Sequence, residues 1–315
     1  MLKTLRALAE SYLFILVASL AIGLFVPSAT ALVAWNTLFL QAIFFLSSLK
    51  IEGREVVKQL KDWKVLFVAT AVMLVGLPLV VRFLLQPILP DLAFPLFLLA
   101  AMPPGMTSPL LVEVMGGKAA LALVITVTGS LLAPLTITLV TQIAYGSSVT
   151  VDAFAMFRSL AFVIFVPFIL AMLVKRFVPA VTRINPWSKP VSIILLGLLV
   201  AGAVAQHAGD ILASASSGWS IIRTILVLFL FFAALHVIGY WSVWWKPKED
   251  RRSIAVCLTY MNFTLAIFLA ATFFPRTEIV LPLVLSILPW ATLLPAWKKI
   301  SASRLWLDKR TMDGR

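Results

Sequence analysis

Apolar residues gather into ten long runs, separated by short polar or Pro/Gly-marked junctions. The runs fall near residues 8–26, 29–49, 64–86, 91–115, 119–145, 157–175, 188–206, 220–245, 253–274 and 277–297. Most approach or exceed the roughly 18–20 apolar residues that a membrane-crossing helix needs. No segment shows the alternation over about ten residues that marks a transmembrane barrel strand. The pattern predicts an all-α polytopic membrane protein, a single transmembrane domain over residues 1–315. Pro27, Pro87 with Pro90, Gly116-Gly117 and Pro275 sit at tight junctions between runs.

Two of the runs depart from a plain apolar helix. The fourth contains AAMPPGMTSPLLVEVMGG, Ala100 to Gly117, with Pro103, Pro104, Gly105 and Pro109 close together. Proline removes a helical hydrogen bond and restricts the residue before it, so this run is expected to break. In lipid an unsatisfied backbone group costs several kcal/mol, and irregular backbone at that depth is tolerated only inside protein or beside a wet cavity. The ninth run has no proline between Ala255 and Ala270, but its centre, Thr259-Tyr260-Met261-Asn262-Phe263-Thr264, is polar for a span. The residues alone do not say whether it breaks.

Composition agrees with the membrane reading: 62% of residues are hydrophobic and 12% charged, against about 25% charged in soluble domains. The net charge of +13 would fit nucleic acid, but its distribution points elsewhere. Counted by loop, 22 Lys and Arg residues fall on one side of the ten runs and only Arg82, Arg158, Arg223 and Arg276 on the other. By the positive-inside rule both termini are cytoplasmic. The basic excess is thus a topology signal in a multi-pass protein of the cytoplasmic membrane, with the lipid bilayer rather than nucleic acid as partner. The N-terminal run is too long for a signal-peptide core and is read as an uncleaved first helix. Trp63, Trp187, Trp241, Trp244, Trp245 and Trp297 lie near run ends, as an interfacial aromatic belt would. Trp35 and Trp290 lie deeper. Arg82 and Arg223, near outer ends, are expected to snorkel. The single cysteine, Cys257, excludes an intramolecular disulfide and a multi-thiolate metal centre.

Ten runs divide into five and five. A five-helix unit that starts inside ends outside, so a copy of it enters inverted, as in many secondary transporters. FIL…FVP occurs at Phe14–Pro27 and again at Phe168–Pro179, and SLLAP at Ser130–Pro134 is echoed by ATLLP at Ala291–Pro295. Together with the topology, these short matches lead to an expected repeat one at about 1–148 and repeat two at about 149–315. The ninth run is then the counterpart of the broken fourth.

At these residues the chain resembles the bile acid:sodium symporter family, within a wider group that includes arsenite and auxin-type carriers. The Pro/Gly-broken run followed by VMGGKAALALVITVTGSLLAPL (Val114–Leu135), the motif YMNFTLA (Tyr260–Ala266) and the order of ten spans carry the resemblance. It implies a core domain, in which the fourth and ninth helices are broken and cross, beside a panel domain, with sodium and substrate bound at the crossing. Ser108 matches the family serine of the broken helix, Thr126, Thr128 and Ser130 its helix-five hydroxyls, and Asn262 its asparagine. Other family ligands are replaced: Pro109, Met261, Cys257 and Met73 stand where asparagine, glutamine, glutamate and glutamine are usual. Sodium, a hard cation, takes oxygen ligands, whereas thiol and thioether are soft. One reduced sodium site, proton coupling and uncoupled transport therefore all stay open.

The candidate substrate- or ion-binding residues are Thr107, Ser108, Thr126, Thr128, Ser130, Thr259, Asn262 and Thr264. For Thr107 and Ser108 the alternative is helix capping alone; for the other hydroxyls it is back-bonding to their own helix. For Asn262 it is a bond between helices, because an amide at mid-membrane needs partners. Glu113 and His236 are candidates for proton coupling. Against them stand a solvated helix-end carboxylate and a neutral histidine bonded within the bundle. Asn36 and Gln41 are weaker pathway candidates. The chain is not expected to be an enzyme, because titratable residues at membrane depth are few and scattered and no HExxH or paired-aspartate motif occurs. Interrupted midplane helices favour a carrier over a channel. The function expected is secondary active transport of a small organic anion or similar solute by alternating access. Na+ or H+ is the candidate coupling ion, and a sodium-independent or proton-coupled exporter of the same fold is the alternative. No cofactor is expected beyond the Na+ that coupling would use.

Overall fold

The computed structural model describes residues 12–51, 63–146, 152–214 and 218–302. The start of the first run at residue 8 and the basic residues Lys3, Arg6, Arg54, Lys58, Lys61, Arg304, Lys309, Arg310 and Arg315 lie outside the described residues, as do the side chains of Trp63 and Lys64. The described residues form helices α1 Tyr12–Phe25, α2 Asn36–Ser48, α3 Trp63–Ala71, α4 Leu77–Leu85, α5 Pro90–Ala101, α6 Ser108–Val114, α7 Ala119–Tyr145 and α8 Ala153–Phe177. They continue with α9 Asn185–Gln206, α10 Ala208–Ser214, α11 Gly218–Trp241, α12 Lys248–Thr259, α13 Phe263–Phe273, α14 Thr277–Leu285 and α15 Ile287–Ala302. Among them the one β-type pairing is an isolated antiparallel bridge between Pro104 and Met261.

Seven helical segments are long and apolar enough to cross a membrane, and Phe14–Phe25, Pro90–Ala101 and Phe263–Phe273 are shorter apolar helices. Three of the ten runs thus fall short as continuous helices. In the first, part of the run lies outside the described residues; in the fourth and ninth, the helix is interrupted. The chain is a multi-pass helical membrane protein, and large apolar side chains such as Phe25, Phe83, Phe177 and Leu230 are exposed on its outside, as a lipid-facing surface requires. Trp187, Trp241, Trp244 and Trp245 are exposed at helix ends, as expected of the belt. Trp297 is not part of it: it is buried, its ring 4.9 Å from that of His236. Trp35, placed deeper by the pattern, is exposed.

Local chemistry explains the irregularities. Asp152 caps α8, its carboxylate accepting from the amides of Phe154 (2.9 Å) and Ala155 (3.1 Å). Between α3 and α4 the helix widens into a π-turn over Val72–Gly76, the Leu77 amide bonding to the Val72 carbonyl. Pro78, which cannot donate, follows at once, so one wider turn keeps the helix going past it. Helices α1 and α9 touch through glycine: a Cβ on Gly197 would lie 2.6 Å from Ile15 Cγ2, and one on Gly23 2.6 Å from Val204 Cβ. Small residues let membrane helices approach this closely.

Charged groups tie helix ends together. Lys175 Nζ donates to the Ile51 carbonyl (2.8 Å), joining the ends of α8 and α2. Lys118 pairs with buried Asp250 at 2.7 Å, joining the α6–α7 turn to the start of α12. Arg82 and Arg223 do not simply snorkel. Arg82 donates to the Ala144 carbonyl (3.1 Å) and lies 4.3 Å from the Tyr145 ring, while Arg223 pairs with Asp91 at 2.6 Å. Each found an acceptor on a neighbouring helix, which a single-helix reading does not supply.

Candidate substrate site at the helix crossing

The fourth run breaks between α5 and α6, and the ninth between α12 and α13. The two breaks face each other and satisfy each other. The Gly105 amide donates to the Tyr260 carbonyl (2.8 Å), and the Asn262 amide donates to the Pro103 carbonyl (2.8 Å). The Ser108 hydroxyl adds a third bond, to the same Tyr260 carbonyl, at 3.1 Å. Backbone groups that neither helix can satisfy internally are thus paired across the crossing, which resolves the cost of breaking a helix at membrane depth. The approach is close. A Cβ on Gly105 would meet the Tyr260 carbonyl at 3.2 Å, and a Cβ on Gly129 of α7 would meet Pro103 and Pro104 at 3.3 Å. Met261 makes the bridge with its backbone, so the absence of a proline in the ninth run did not keep it helical.

Beside the crossing is a cavity of about 750 Å³, within the range of small-molecule sites. Of the residues expected there, Thr107, Thr126, Asn262 and Thr264 line it. Asn262 also caps α13, its Oδ1 accepting from the buried Leu265 amide at 3.1 Å. Thr126 Oγ1 is buried, with no hydrogen-bond partner among the described residues. The other expected residues lie elsewhere. Ser108 is fully buried in the crossing and bonds across it rather than capping α6, and Thr107 makes no side-chain cap either. Thr259 is back-bonded to the Ala255 carbonyl at 2.8 Å. Ser130 faces a separate small void with Ser48, and Thr128, half-buried, lines neither space. Glu113 is exposed and outside the cavity wall.

His236 is buried behind the crossing, its ring 5.4 Å from that of Tyr260, and its Nδ1 lies 2.8 Å from the Phe232 carbonyl. A carbonyl only accepts, so Nδ1 carries the proton. Asn36 is buried at the start of α2, and Gln41 donates to the Phe162 carbonyl at 3.4 Å; neither lines the cavity.

Several cavity residues were not singled out from the sequence. Tyr260 and Trp290 form aromatic wall, their rings 5.8 Å apart. Phe44 and Leu196 bring in α2 and α9. Lys50 and Lys189 are the only charged residues among the described residues of the lining, and Ser188 stands beside Lys189. In the sequence these two lysines were absorbed into the loop charge count, and nothing in the pattern brings residue 50 to residue 189. Among the described residues, the wall is therefore apolar, with scattered hydroxyls and one amide, two cations and no carboxylate.

Known proteins carry the same sequence pattern in part. "Probable sodium/metabolite cotransporter BASS3, chloroplastic" of Oryza sativa subsp. japonica is 27% identical over 169 residues, 52% of this chain and 39% of that protein. The protein of the same description from Arabidopsis thaliana is 27% identical over 147 residues, 45% of this chain and 33% of its own length. "Probable sodium/metabolite cotransporter BASS5, chloroplastic" of Oryza sativa subsp. indica is 24% identical over 149 residues, 45% and 36% of the two chains. The matched stretch thus spans between a third and two fifths of these relatives. A family description covers far more of the chain, residues 10–289. With its paired helix breaks and its cavity at the crossing, the chain belongs to the SBF-like CPA transporter family, a family of transporters rather than enzymes.

Proposed function

We propose that this protein is a secondary active transporter that carries a small organic anion across the cytoplasmic membrane by alternating access. The observation that carries the reading is the pair of mutually bonded helix breaks beside a roughly 750 Å³ cavity whose described wall holds two lysines and no carboxylate. A cavity of net positive charge raises the local concentration of anions and rejects cations. Its apolar walls suit a substrate with a hydrocarbon body. The ten spans form two inverted five-helix repeats, about 1–148 and 149–315, with α5–α6 and α12–α13 as counterparts in a core that moves against a panel. Both termini are cytoplasmic by the loop charges. Lys50 and Lys189 belong to the basic loops, so the cavity opens inward.

Coupling is to Na+, the ion in the descriptions of the plant relatives. Its ligands are drawn from the hydroxyls and carbonyls about Ser108, Thr126, Thr128, Ser130, Thr259 and Asn262. A second reading, sodium-independent or proton-coupled export, is favoured by a specific feature. Met73, Met261 and Cys257 are buried where family oxygen ligands are usual, and sulfur is a poor ligand for a hard cation. Proton coupling would then fall to Glu113 or His236. Uptake of radiolabelled organic anions into proteoliposomes, driven by an imposed Na+ gradient, a pH gradient or neither, tests all of this. Na+-driven accumulation supports the first reading. Flux that ignores Na+ but follows pH or the solute gradient supports the second. The absence of saturable anion flux under every gradient refutes both.

A further inference from the structure

The crossing occupies one part of the cavity wall. Another part holds Lys50, just past the end of α2, and Lys189, in the first turns of α9. Both lysines reach solvent, Lys50 with part of its side chain covered by protein. They are close enough to feel one another: burial, and after it the charge of Lys189, hold the Lys50 ammonium below its ordinary value. Between like charges with no carboxylate in the described wall, an anion is the group that relieves repulsion.

A second observation points the same way. Ser188, adjacent to Lys189, is 1% exposed, lines the cavity, and its Oγ has no hydrogen-bond partner among the described residues. A buried hydroxyl without a partner is uncommon in a native protein and calls for one. Phe44, Leu196 and Leu294 add apolar surface to the same cavity, beside the hydroxyls of Ser47 and Ser192.

We infer that Lys50, Lys189 and the Ser188 hydroxyl form an anion subsite at the mouth of the cavity. It holds the carboxylate or equivalent acid group of an amphipathic organic anion, while the hydrocarbon body lies along Phe44 and Leu196 toward Asn262 and Thr126. The subsite rests on the transporter reading above and adds to it an orientation: acid group at the mouth, body toward the crossing. It also assigns selectivity. A neutral molecule of the same shape loses the two charge-assisted contacts and leaves the lysine repulsion in place.

The test uses the full-length protein in nonionic detergent, with 4-phenylbutanoate, benzoate and glutarate as probes and their primary amides as neutral partners. Binding is read by calorimetry and by thermal shift. At least one carboxylate binds, and its amide binds at least tenfold more weakly. Lys50→Gln and Lys189→Gln each weaken the carboxylate about tenfold or more, as loss of one charged hydrogen bond implies. The Lys→Arg versions retain it, Ser188→Ala weakens it by a few-fold, and Lys299→Gln, outside the cavity, leaves it unchanged. Retained thermal unfolding with lost binding separates this outcome from misfolding.

Three results overturn the inference: equal binding of carboxylate and amide, unchanged affinity in both Gln variants, or no carboxylate bound at all. Competition with phosphatidylglycerol adds a fourth. If the lipid stabilises through the same lysines and no carboxylate displaces it, the site is a lipid head-group contact. Proteoliposome flux separates the two levels of failure. Anion flux that persists unchanged in the Gln variants refutes the subsite alone, whereas no anion flux in the unmodified protein refutes the transporter reading as well.

Discussion

Asn262 does two jobs that substitution can pull apart. Its Oδ1 accepts from the Leu265 amide at 3.1 Å, and its side chain also lines the cavity. Leu265 is fully buried, so in Asn262→Ala its amide loses its acceptor with no water to replace it. Loss of an N-cap costs about 0.5–2 kcal/mol, and an unpaired buried amide about 1–3 kcal/mol. These are overlapping accounts of one bond, so the expected loss is about 1–3 kcal/mol. At about 1.5 °C per kcal/mol for a chain of this size, the unfolding midpoint falls by about 1.5–5 °C. Asn262→Asp keeps the accepting oxygen, and a carboxylate at the start of α13 is favoured by the helix dipole, so most of that loss is recovered.

The two variants should diverge in the opposite sense in transport. Asn262 lines the cavity, and for an assumed separation of about 8 Å and an effective dielectric constant of about 20, a new negative charge there costs an anionic substrate about 2 kcal/mol, more than tenfold in apparent affinity. Intrinsic tryptophan fluorescence during heating in detergent measures the first effect, and anion uptake into proteoliposomes the second. If Asn262→Ala unfolds within about 1 °C of the parent, or if Asn262→Asp falls as far as Asn262→Ala, the capping argument is wrong. If Asn262→Asp transports the anion as well as the parent, the residue does not face the substrate.

Thr126→Val removes a buried hydroxyl that has no partner among the described residues, so stability should stay within about 1 kcal/mol or rise, while anion affinity falls; a large drop in unfolding temperature would show that the hydroxyl is bonded after all. Gly197→Leu drives a side chain into Ile15 Cγ2 and Ser19 Oγ, 2.6 and 2.7 Å from the new Cβ, and should cost about 1–3 kcal/mol or more. Gly209→Leu, at a position with nothing within 4 Å of an added Cβ among the described residues, is the matched control, and equal melting of the two would refute the close α1–α9 contact. Lys50 gives a pH dependence. Its folded-state value lies below 10.5, so between the two values the unfolded chain binds more protons and stability rises with pH. Melting followed as pH rises toward 10.5 should show this rise in the parent and a flatter profile in Lys50→Gln; identical slopes would refute the assignment.

Several parts of this protein were legible in the residues because they depend on short-range chemistry. The spans follow from runs of apolar side chains, and the break in the fourth run from Pro103, Pro104 and Pro109, whose missing amides act wherever they are placed. The break in the ninth run was not legible. It carries no proline, and Tyr260–Asn262 leave the helix because the Pro103 carbonyl and the Gly105 amide offer better partners than the next turn would. The same limit explains Arg82 and Trp297. One bonds a carbonyl on α7 and the other packs on His236, and both partners come from other helices.

The hydroxyl candidates divided for a related reason. Thr126 and Thr264 face the cavity, whereas Thr259 turns back to its own helix, and residue type is identical in the three cases. What the sequence determines by itself is the solvent of each segment: lipid for the apolar runs, water for the basic loops, and a protected place for a proline-broken helix. What the tertiary structure decides is which groups meet. Lys50 and Lys189 are separated by more than a hundred residues and read as loop charges, yet they line the mouth of one cavity. Facing positions arise from helix packing, and hydropathy along a single chain carries no information about which helix a given face will meet.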